Sequence, residues 1–180
     1  MPITLNNTAV VILGLLASGP KSGYDIKHIV DRSTRFFWRA SYGQIYPELR
    51  RLEANGLVRG HAKSRGDRAR TEYELTRAGR AALRDWLTSS GELTHEIRDE
   101  GLLRFFFSDE LEPEEQMANL RAMRERYERL AVRLREEIEP FAADAPGEFP
   151  LLTARFGIEL YESLSAWCER MEAELETSLG

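Results

Sequence analysis

Residues 41–58 read SYGQIYPELRRLEANGLV, and this stretch decides the fold predicted for the first half of the chain. Ser41 and Gln44 have the Ser-x-x-Gln spacing of a capping box, which predicts that a helix begins here. The Asn-Gly pair at 55–56 is typical of a helix end, because glycine readily adopts a left-handed conformation. Pro47 removes a backbone donor, so we expect a loose first turn or a late start of the regular helix. The apolar face of this helix consists of Ile45, Leu49 and Leu52.

Two further helices are predicted upstream of this stretch. Residues 5–17, LNNTAVVILGLLA, begin with Asn and Thr residues that can cap a helix. The rest of the stretch is apolar on all sides, which indicates a buried central helix. Ser22 and Asp25 have a second capping-box spacing and start a helix that runs to about Arg32. The aromatic cluster 36–38, FFW, is expected to pack in the core between the second and third helices. A pocket for an aromatic effector is the alternative interpretation of this cluster.

A basic hairpin is predicted after the third helix. Residues 59–70, RGHAKSRGDRAR, contain five basic residues, one acid and two glycines. Residues 71–75 alternate polar and apolar side chains, as a half-buried strand does. Thr76 is placed to cap a fourth helix. Three helices, a two-stranded hairpin and a further helix form the layout of a winged helix-turn-helix, so the predicted fold is mainly α with a small β-hairpin.

The two halves of the chain carry opposite charge. Residues 1–90 contain 15 Lys and Arg against 8 Asp and Glu, a net charge of +7, whereas residues 91–180 contain 10 against 22, a net charge of −12. The sign changes near Gly91, where we place the boundary between the winged helix-turn-helix and a helical second domain. This asymmetry indicates that the first half meets a polyanion, although the whole chain is acidic.

This layout predicts which side chains meet double-stranded DNA. A helix in the major groove needs polar side chains opposite its buried face, and a basic hairpin supplies cations to phosphates. Gln44 is either a base contact or the capping partner of Ser41, and Tyr46 is either core or a phosphate contact. Arg50 and Arg51 are adjacent, so at most one points into the groove, and the other is expected to meet a phosphate. The candidate DNA-binding residues are Ser41, Tyr42, Gln44, Tyr46, Arg50, Arg51, Lys63, Arg65, Arg68 and Arg70.

The second half is predicted to be a helical dimerisation domain. A short helix covers 96–107, a long one starts near Pro113 and is broken at Pro140, and a last one starts near Leu151. Two long amphipathic helices suit an antiparallel pair that packs on a second copy, and an intramolecular bundle in a monomer is the alternative. A homodimer would set two recognition helices about 34 Å apart on a palindromic operator. The candidate dimer contacts are Leu120, Tyr127, Leu134, Leu160, Leu164, Trp167 and Met171.

Other classes of function find no support in the sequence. There is no glycine-rich phosphate loop or nucleophile elbow, and the three histidines, His28, His61 and His95, have no metal-ligand spacing. We therefore predict no enzyme, metal site or cofactor. The longest apolar run, 9–17, is too short to span a bilayer, and the single Cys168 fits a cytoplasmic protein and a core position. A winged helix that binds proteins without DNA is the remaining alternative.

Three pieces of the first half resemble the PadR family of transcriptional regulators: residues 9–26, AVVILGLLASGPKSGYDI, residues 41–58, and residues 71–83, TEYELTRAGRAAL. The resemblance covers about residues 5–87. Residues 98–116, RDEGLLRFFFSDELEPEEQ, look like the larger-tailed branch, which includes virulence-activator-like proteins. The resemblance implies a homodimeric regulator, often a repressor, that binds an inverted repeat, and it gives a precedent for the proline at position 47. It identifies no operator and no small-molecule effector.

Overall fold

The computed structural model describes residues 4–38, 40–65, 68–90 and 97–179, with side chains throughout except at 63–65, 68–69 and 178–179. The chain divides into two compact units, residues 1–92 and 93–180. The first unit contains α1 (Asn7–Ala17), β1 (Lys21–Ser22), α2 (Gly23–Asp31), α3 (Tyr42–Ala54), β2 (Val58–Arg65), β3 (Arg68–Leu75) and α4 (Arg77–Leu87). The second contains α5 (Glu100–Phe106), α6 (Pro113–Arg133), α7 (Glu139–Ala143) and α8 (Phe149–Leu179).

The first unit is a winged helix-turn-helix, as the sequence predicts. Asn6, Ser22, Ser41 and Thr76 cap α1, α2, α3 and α4 in turn, because each offers an oxygen to the free N–H groups of a first helical turn. Gly56, at φ 70°, follows the end of α3, where only glycine adopts this conformation without strain. The largest fully buried core side chains are Ile12, Leu13, Leu16, Ile26, Val30, Ile45, Leu49, Leu52 and Val58.

The sheet has one strand more than the sequence predicts. β2 and β3 form the expected antiparallel hairpin, in which Val58 faces Leu75 and Arg65 faces Arg68. The two-residue β1 pairs with the other edge of β3, so the strand order is β1-β3-β2. A strand of two residues contains no alternation of polar and apolar side chains, and no sequence pattern could have revealed it.

Two expectations for the first unit are wrong. α3 runs without a late start from Tyr42 through Pro47, so the proline is accepted inside the helix. The aromatic cluster at 36–38 does not pack as core, since Phe37 is 65% and Trp38 40% exposed, and Phe36 is half-buried in a 3₁₀ turn. Phe37 and Trp38 lie at the surface between α2 and α3, and the core beside them is filled by side chains of the flanking helices.

The second unit is built on the packing of α6 against α8. Leu120, Met123, Tyr127 and Cys168 form its buried cluster, which Trp167 and its neighbours partly cover. Asp99 caps α5 by accepting from the backbone N–H groups of Gly101 and Leu102, and it also accepts from the Tyr127 hydroxyl at 3.0 Å. One carboxylate therefore both starts α5 and fastens it to α6. Burial raises the pKa of the Cys168 thiol to about 11, with nearby Glu172 adding to the effect.

Pro140 does not end the long helix of the second unit, contrary to expectation. The chain passes from α6 through a wider π-helical turn, Leu134–Ile138, directly into α7. The Glu139 N–H donates to the Leu134 carbonyl, five residues back, in place of the usual four. A widened turn accommodates the proline ring, which would otherwise crowd the preceding carbonyls.

Three of the predicted dimer contacts require correction. Leu120, Tyr127 and Leu134 are 0–4% exposed within a single chain, where α6 packs against α8. Leu134 lies against α8 at Gly157. These side chains therefore have almost no surface left to bury on a second copy. Leu160 is 42% exposed and keeps that capacity, whereas Leu164, Trp167 and Met171 are half-buried around the same cluster.

No helix within the described ranges is long and apolar enough to cross a membrane.

Gly79 offers a test of how α4 is seated on the hairpin. A methyl group at Gly79 would lie 2.0 Å from the Leu57 carbonyl oxygen, which accepts from the Thr76 backbone at 3.1 Å. Gly79→Ala should therefore force α4 away and lower the free energy of unfolding by about 2–3 kcal/mol. Gly14→Ala is the matched control, because Gly14 is exposed in the middle of α1 with no atom near its Cβ position.

The control should stabilise the protein by about 0.5–1 kcal/mol, since alanine favours helix. Urea unfolding followed by circular dichroism measures both variants. Equal effects of the two substitutions would contradict the close packing of α4 on Leu57.

Candidate nucleic-acid interface

The outer face of α3 is a narrow strip of exposed residues. Gly43, Pro47, Arg50 and Ala54 follow at intervals of four, three and four, opposite the buried stripe of the same helix. Three of them are small and leave the backbone close to the surface, and Arg50 alone among the four is charged. A helix with this profile can approach another surface closely and offer one long hydrogen-bonding side chain.

The first turn of α3 is fixed by its capping box. The Ser41 backbone N–H donates to Gln44 Oε1 at 2.9 Å, and the Ser41 hydroxyl lies 3.1 Å from the same oxygen. The amide oxygen of Gln44 is therefore used inside the protein. This geometry favours the capping interpretation of Gln44 over a role as a base contact that needs both amide atoms.

Two tyrosines lie on the flank of α3 that faces α2. The rings of Tyr42 and Tyr46 are stacked 6.2 Å apart, and both are partly exposed. Lys27 Nζ lies 5.5 Å from the centre of the Tyr42 ring. The Tyr46 ring lies so close to Gly23 that a methyl there would come within 2.7 Å of Cε1. Tyr46 thus combines a packed edge with an exposed face, and neither of its two predicted roles describes it fully.

Arg51 is paired within its own helix. Its Nε lies 3.0 Å from both carboxylate oxygens of Glu48, and its Nη2 bonds to Oε1. Glu48 is only 8% exposed, and the hydrogen bond to it raises the pKa of Arg51. Glu48 is not among the residues predicted for the interface, although its spacing of three from Arg51 is one at which helical side chains meet.

The hairpin is joined to α2 through Arg70, which is paired with Lys63 in the half of the hairpin nearer the turn. Its guanidinium lies 3.2 Å from Asp25 and 5.0 Å from the centre of the Tyr24 ring. Burial by itself would raise the pKa of Asp25, but hydrogen bonds from Ser22 and the charges of Arg70 and His28 outweigh it and lower that pKa. Arg70 thus fastens β3 to α2, and its contact with DNA stays a prediction. Asp25 and Arg70 are 45 positions apart, so no local pattern could have joined them.

On either side of the hairpin turn, residues 63–65 and 68–69 are described by their backbone alone. Lys63, Arg65 and Arg68 belong to strands β2 and β3, and their side chains lie outside the described residues. Nearer the base, Glu53 on α3 accepts from the Gly60 N–H at 2.8 Å, and His61 pairs across the strands with Glu74 at 2.9 Å. The base of the hairpin is therefore anchored to α3.

Comparisons with known proteins agree with this geometry. Residues 12–85 match the transcriptional regulator PadR-like family, and residues 97–176 match the virulence activator alpha C-term family. The chain is 29% identical over 179 residues to the negative transcriptional regulator PadR of Bacillus subtilis (strain 168), which spans 92% of this chain and 95% of that protein.

Two solved structures are similar over nearly the whole chain. Bacillus subtilis PadR in complex with operator DNA superposes with a TM-score of 0.86 at 26% identity, covering 94% of this chain and 99% of that one. Bacillus subtilis PadR in complex with p-coumaric acid gives a TM-score of 0.80 at 27% identity, covering 93% and 98%. The similarity therefore extends across both units of the chain, including the one that carries α3 and the hairpin.

The Arg70–Asp25 contact predicts a measurable change in ionisation. Arg70→Gln removes one of the positive charges that lower the pKa of Asp25, so that pKa should rise toward its ordinary value. A group with a lowered pKa adds stability above its unfolded-state pKa and loses it as the pH falls through its folded-state pKa. The variant should therefore lose part of this contribution at a higher pH than the native protein.

Carbon-detected NMR titration of the Asp25 carboxyl measures the shift, and Arg77→Gln, an exposed substitution on α4, is the charge-matched control. An Asp25 titration curve that is identical in the native protein and in Arg70→Gln would rule out the contact.

Proposed function

The chain belongs to the PadR-like family of DNA-binding transcriptional regulators, and from that premise we propose that it is a homodimeric repressor of an inverted-repeat operator. The observation that carries the proposal is the similarity to a PadR structure solved with operator DNA. The net charge of +7 on residues 1–90 supports the same conclusion, because a polyanion attracts the half of the chain that contains α3 and the hairpin.

We assign the DNA contacts to residues 1–90 and divide them into two kinds. Arg50, at the centre of the outer face of α3, reads base edges in the major groove, where an arginine pairs best with guanine. The hairpin residues Lys63, Arg65, Arg68 and Arg70 bind phosphates, which supplies affinity with little sequence information. Ser41, Tyr42, Gln44 and Tyr46 shape and flank the first turn of the recognition helix.

Repression is the sign of regulation that the relatives favour. The Bacillus subtilis relative is described as a negative regulator. The match of residues 97–176 to a family of virulence activators gives the second candidate, transcriptional activation. Transcription from the adjacent promoter, with and without the protein, distinguishes them, since a repressor lowers the transcript level. A regulator acts where its operator DNA is, so we propose a cytoplasmic location. p-Coumaric acid is a ligand of the Bacillus protein, and no described residue identifies a counterpart here.

In this proposal, residues 91–180 supply the contacts between the two copies of the homodimer. The first half of α8 carries exposed apolar side chains at spacings of three and four: Phe149, Leu152, Phe156 and Leu160, which are 42–74% exposed. Such a stripe fits the same stripe of a second chain across a two-fold axis, where each residue buries against its counterpart or a neighbour. A two-fold dimer presents two recognition helices to the two halves of an inverted repeat.

DNA binding through the hairpin predicts a specific response to salt. Replacing both Arg65 and Arg68 by Ala should weaken binding to every sequence alike and reduce the slope of log affinity against log salt by about 2 per protomer. Arg50→Ala should instead change the preferred sequence, with a loss of about 1–3 kcal/mol at one base pair. Fluorescence anisotropy across about 50–200 mM salt, together with binding-site selection from a random library, measures both effects.

The double variant Arg104→Ala/Arg129→Ala, which removes two exposed charges from the second unit, is the matched control and should leave the slope unchanged. A protein-only adaptor would fail to retain duplex DNA at any salt concentration. If the salt slope is the same in the native protein, in the Arg65→Ala/Arg68→Ala variant and in the control, the hairpin is not part of the interface.

The α8 stripe predicts the oligomeric state of a double variant. Phe156→Glu/Leu160→Glu places two charges where the second copy is proposed to pack, and burying an unpaired charge is costly, so the variant should be monomeric. Glu159→Gln, an exposed change on the same helix, should remain dimeric. Sedimentation velocity gives the mass of each protein, and circular dichroism checks that the helices persist. A folded dimer of the double variant would move the interface elsewhere.

A further inference from the structure

A buried carboxylate holds the second arginine of the recognition helix. The two oxygens of Glu48 accept from Nε and Nη2 of Arg51, so one edge of the guanidinium is fully used. The Arg51 side chain remains 35% exposed, whereas the Glu48 side chain is only 9% exposed. No described residue accepts from Nη1, so the outer edge of the guanidinium, with one N–H of Nη1 and one of Nη2, is free to donate. The pair therefore has one closed edge and one open edge.

Glu48 also accepts a hydrogen bond from the N-cap residue of α1. Asn6 Nδ2 donates to Glu48 Oε2 at 3.3 Å, while Asn6 Oδ1 accepts from the Ala9 N–H at 2.8 Å as the cap of α1. Both ends of the Asn6 side chain are thus engaged, and the carboxylate cannot rotate without breaking a contact. The three side chains form a chain of hydrogen bonds, which we call the Asn6–Glu48–Arg51 relay, from the start of α1 to the flank of α3.

We propose that Glu48 is a positioning residue for DNA binding, which orients Arg51 so that its open outer edge donates to one backbone phosphate beside the groove. The inference rests on the proposed function, and it assigns to Arg51 the phosphate contact that the sequence predicts for one of the two adjacent arginines. An arginine is long and flexible, so fixing it before the encounter avoids part of the ordering cost of the contact. A planar guanidinium held along one edge can offer the other edge to a phosphate oxygen.

The sign of one substitution separates positioning from simple electrostatics. Glu48 is an acid on the helix that meets a polyanion, so removing its charge should by itself strengthen binding to DNA. If Glu48 instead orients Arg51, Glu48→Gln should weaken binding although it removes a negative charge. A merely structural role would lower stability and leave the salt dependence of binding unchanged.

The experiment is a double-substitution cycle on DNA binding with the full-length chain. The four proteins are the native form, Glu48→Gln, Arg51→Met and the double variant. The probe is a duplex of three helical turns that the native protein selects from a random library. We expect Glu48→Gln to weaken binding about three- to tenfold, the scale of one misaligned charge-assisted hydrogen bond. In the Arg51→Met background, the same substitution should change the affinity less than about twofold, because the residue it acts through is gone.

Two further measurements keep the test independent of folding. Arg51→Met should reduce the salt slope by about 1 per protomer, as the loss of one phosphate contact does. Asn6→Ser keeps a capping oxygen for α1 but removes the amide that reaches Glu48, so it should weaken binding in the same direction and only when Arg51 is present. If circular dichroism shows that Glu48→Gln is unfolded, Asn6→Ser takes its place in the double-substitution cycle.

The outcomes distinguish the positioning role of Glu48 from the proposed function of the protein. Native protein that binds the duplex with a steep salt slope, together with unchanged or stronger binding by Glu48→Gln, overturns the positioning role and leaves the proposed function standing. An equal loss in both backgrounds also overturns it, because Glu48 would then act without Arg51. Native protein that retains no duplex overturns the proposed function and this inference together.

Discussion

The burial of one face of α3 is the constraint on which the first unit depends. Ile45, Leu49 and Leu52 are fully buried, and a helix that commits such a stripe to a core has no freedom to rotate about its axis. The opposite face, with Arg50 at its centre, is therefore fixed toward the outside. The capping box sets where the helix begins, and Glu53 ties its far end to the hairpin. The orientation of the interface follows from packing alone.

Local patterns in the sequence predicted most of the first unit. Capping boxes, apolar spacing and the glycine after α3 depend on neighbours within four residues, and the structure confirms the helices and the hairpin they indicated. Contacts between distant residues were beyond reach, as with Asp25 and Arg70, or β1 and β3. The average behaviour of proline predicts a loose or late start of α3 at Pro47 and a helix break at Pro140, whereas Pro47 lies inside α3 and Pro140 lies beside a π-helical turn. The Glu48–Arg51 pair was local and could have been found.

The second unit shows why an amphipathic pattern does not name its partner. The spacing of Leu120, Tyr127 and Leu134 on α6 suits a helix of the same chain as well as a helix of another chain. The structure pairs α6 with α8 inside one chain and thereby uses these side chains. What distinguishes an intermolecular candidate is residual exposure, which is a property of the folded unit. Phe156 and Leu160 retain it, and only Leu160 stood among the residues that the pattern had suggested.

Cys168 has a practical consequence for work on this protein. Its thiol is fully buried, and burial raises its pKa to about 11, so very little of the reactive thiolate form is present at neutral pH. Alkylating reagents should therefore spare it as long as α6 and α8 stay together. A cysteine introduced on the surface can then carry a spectroscopic label by itself, without removal of the native one. The rate at which Cys168 is labelled would in turn report how often the second unit opens.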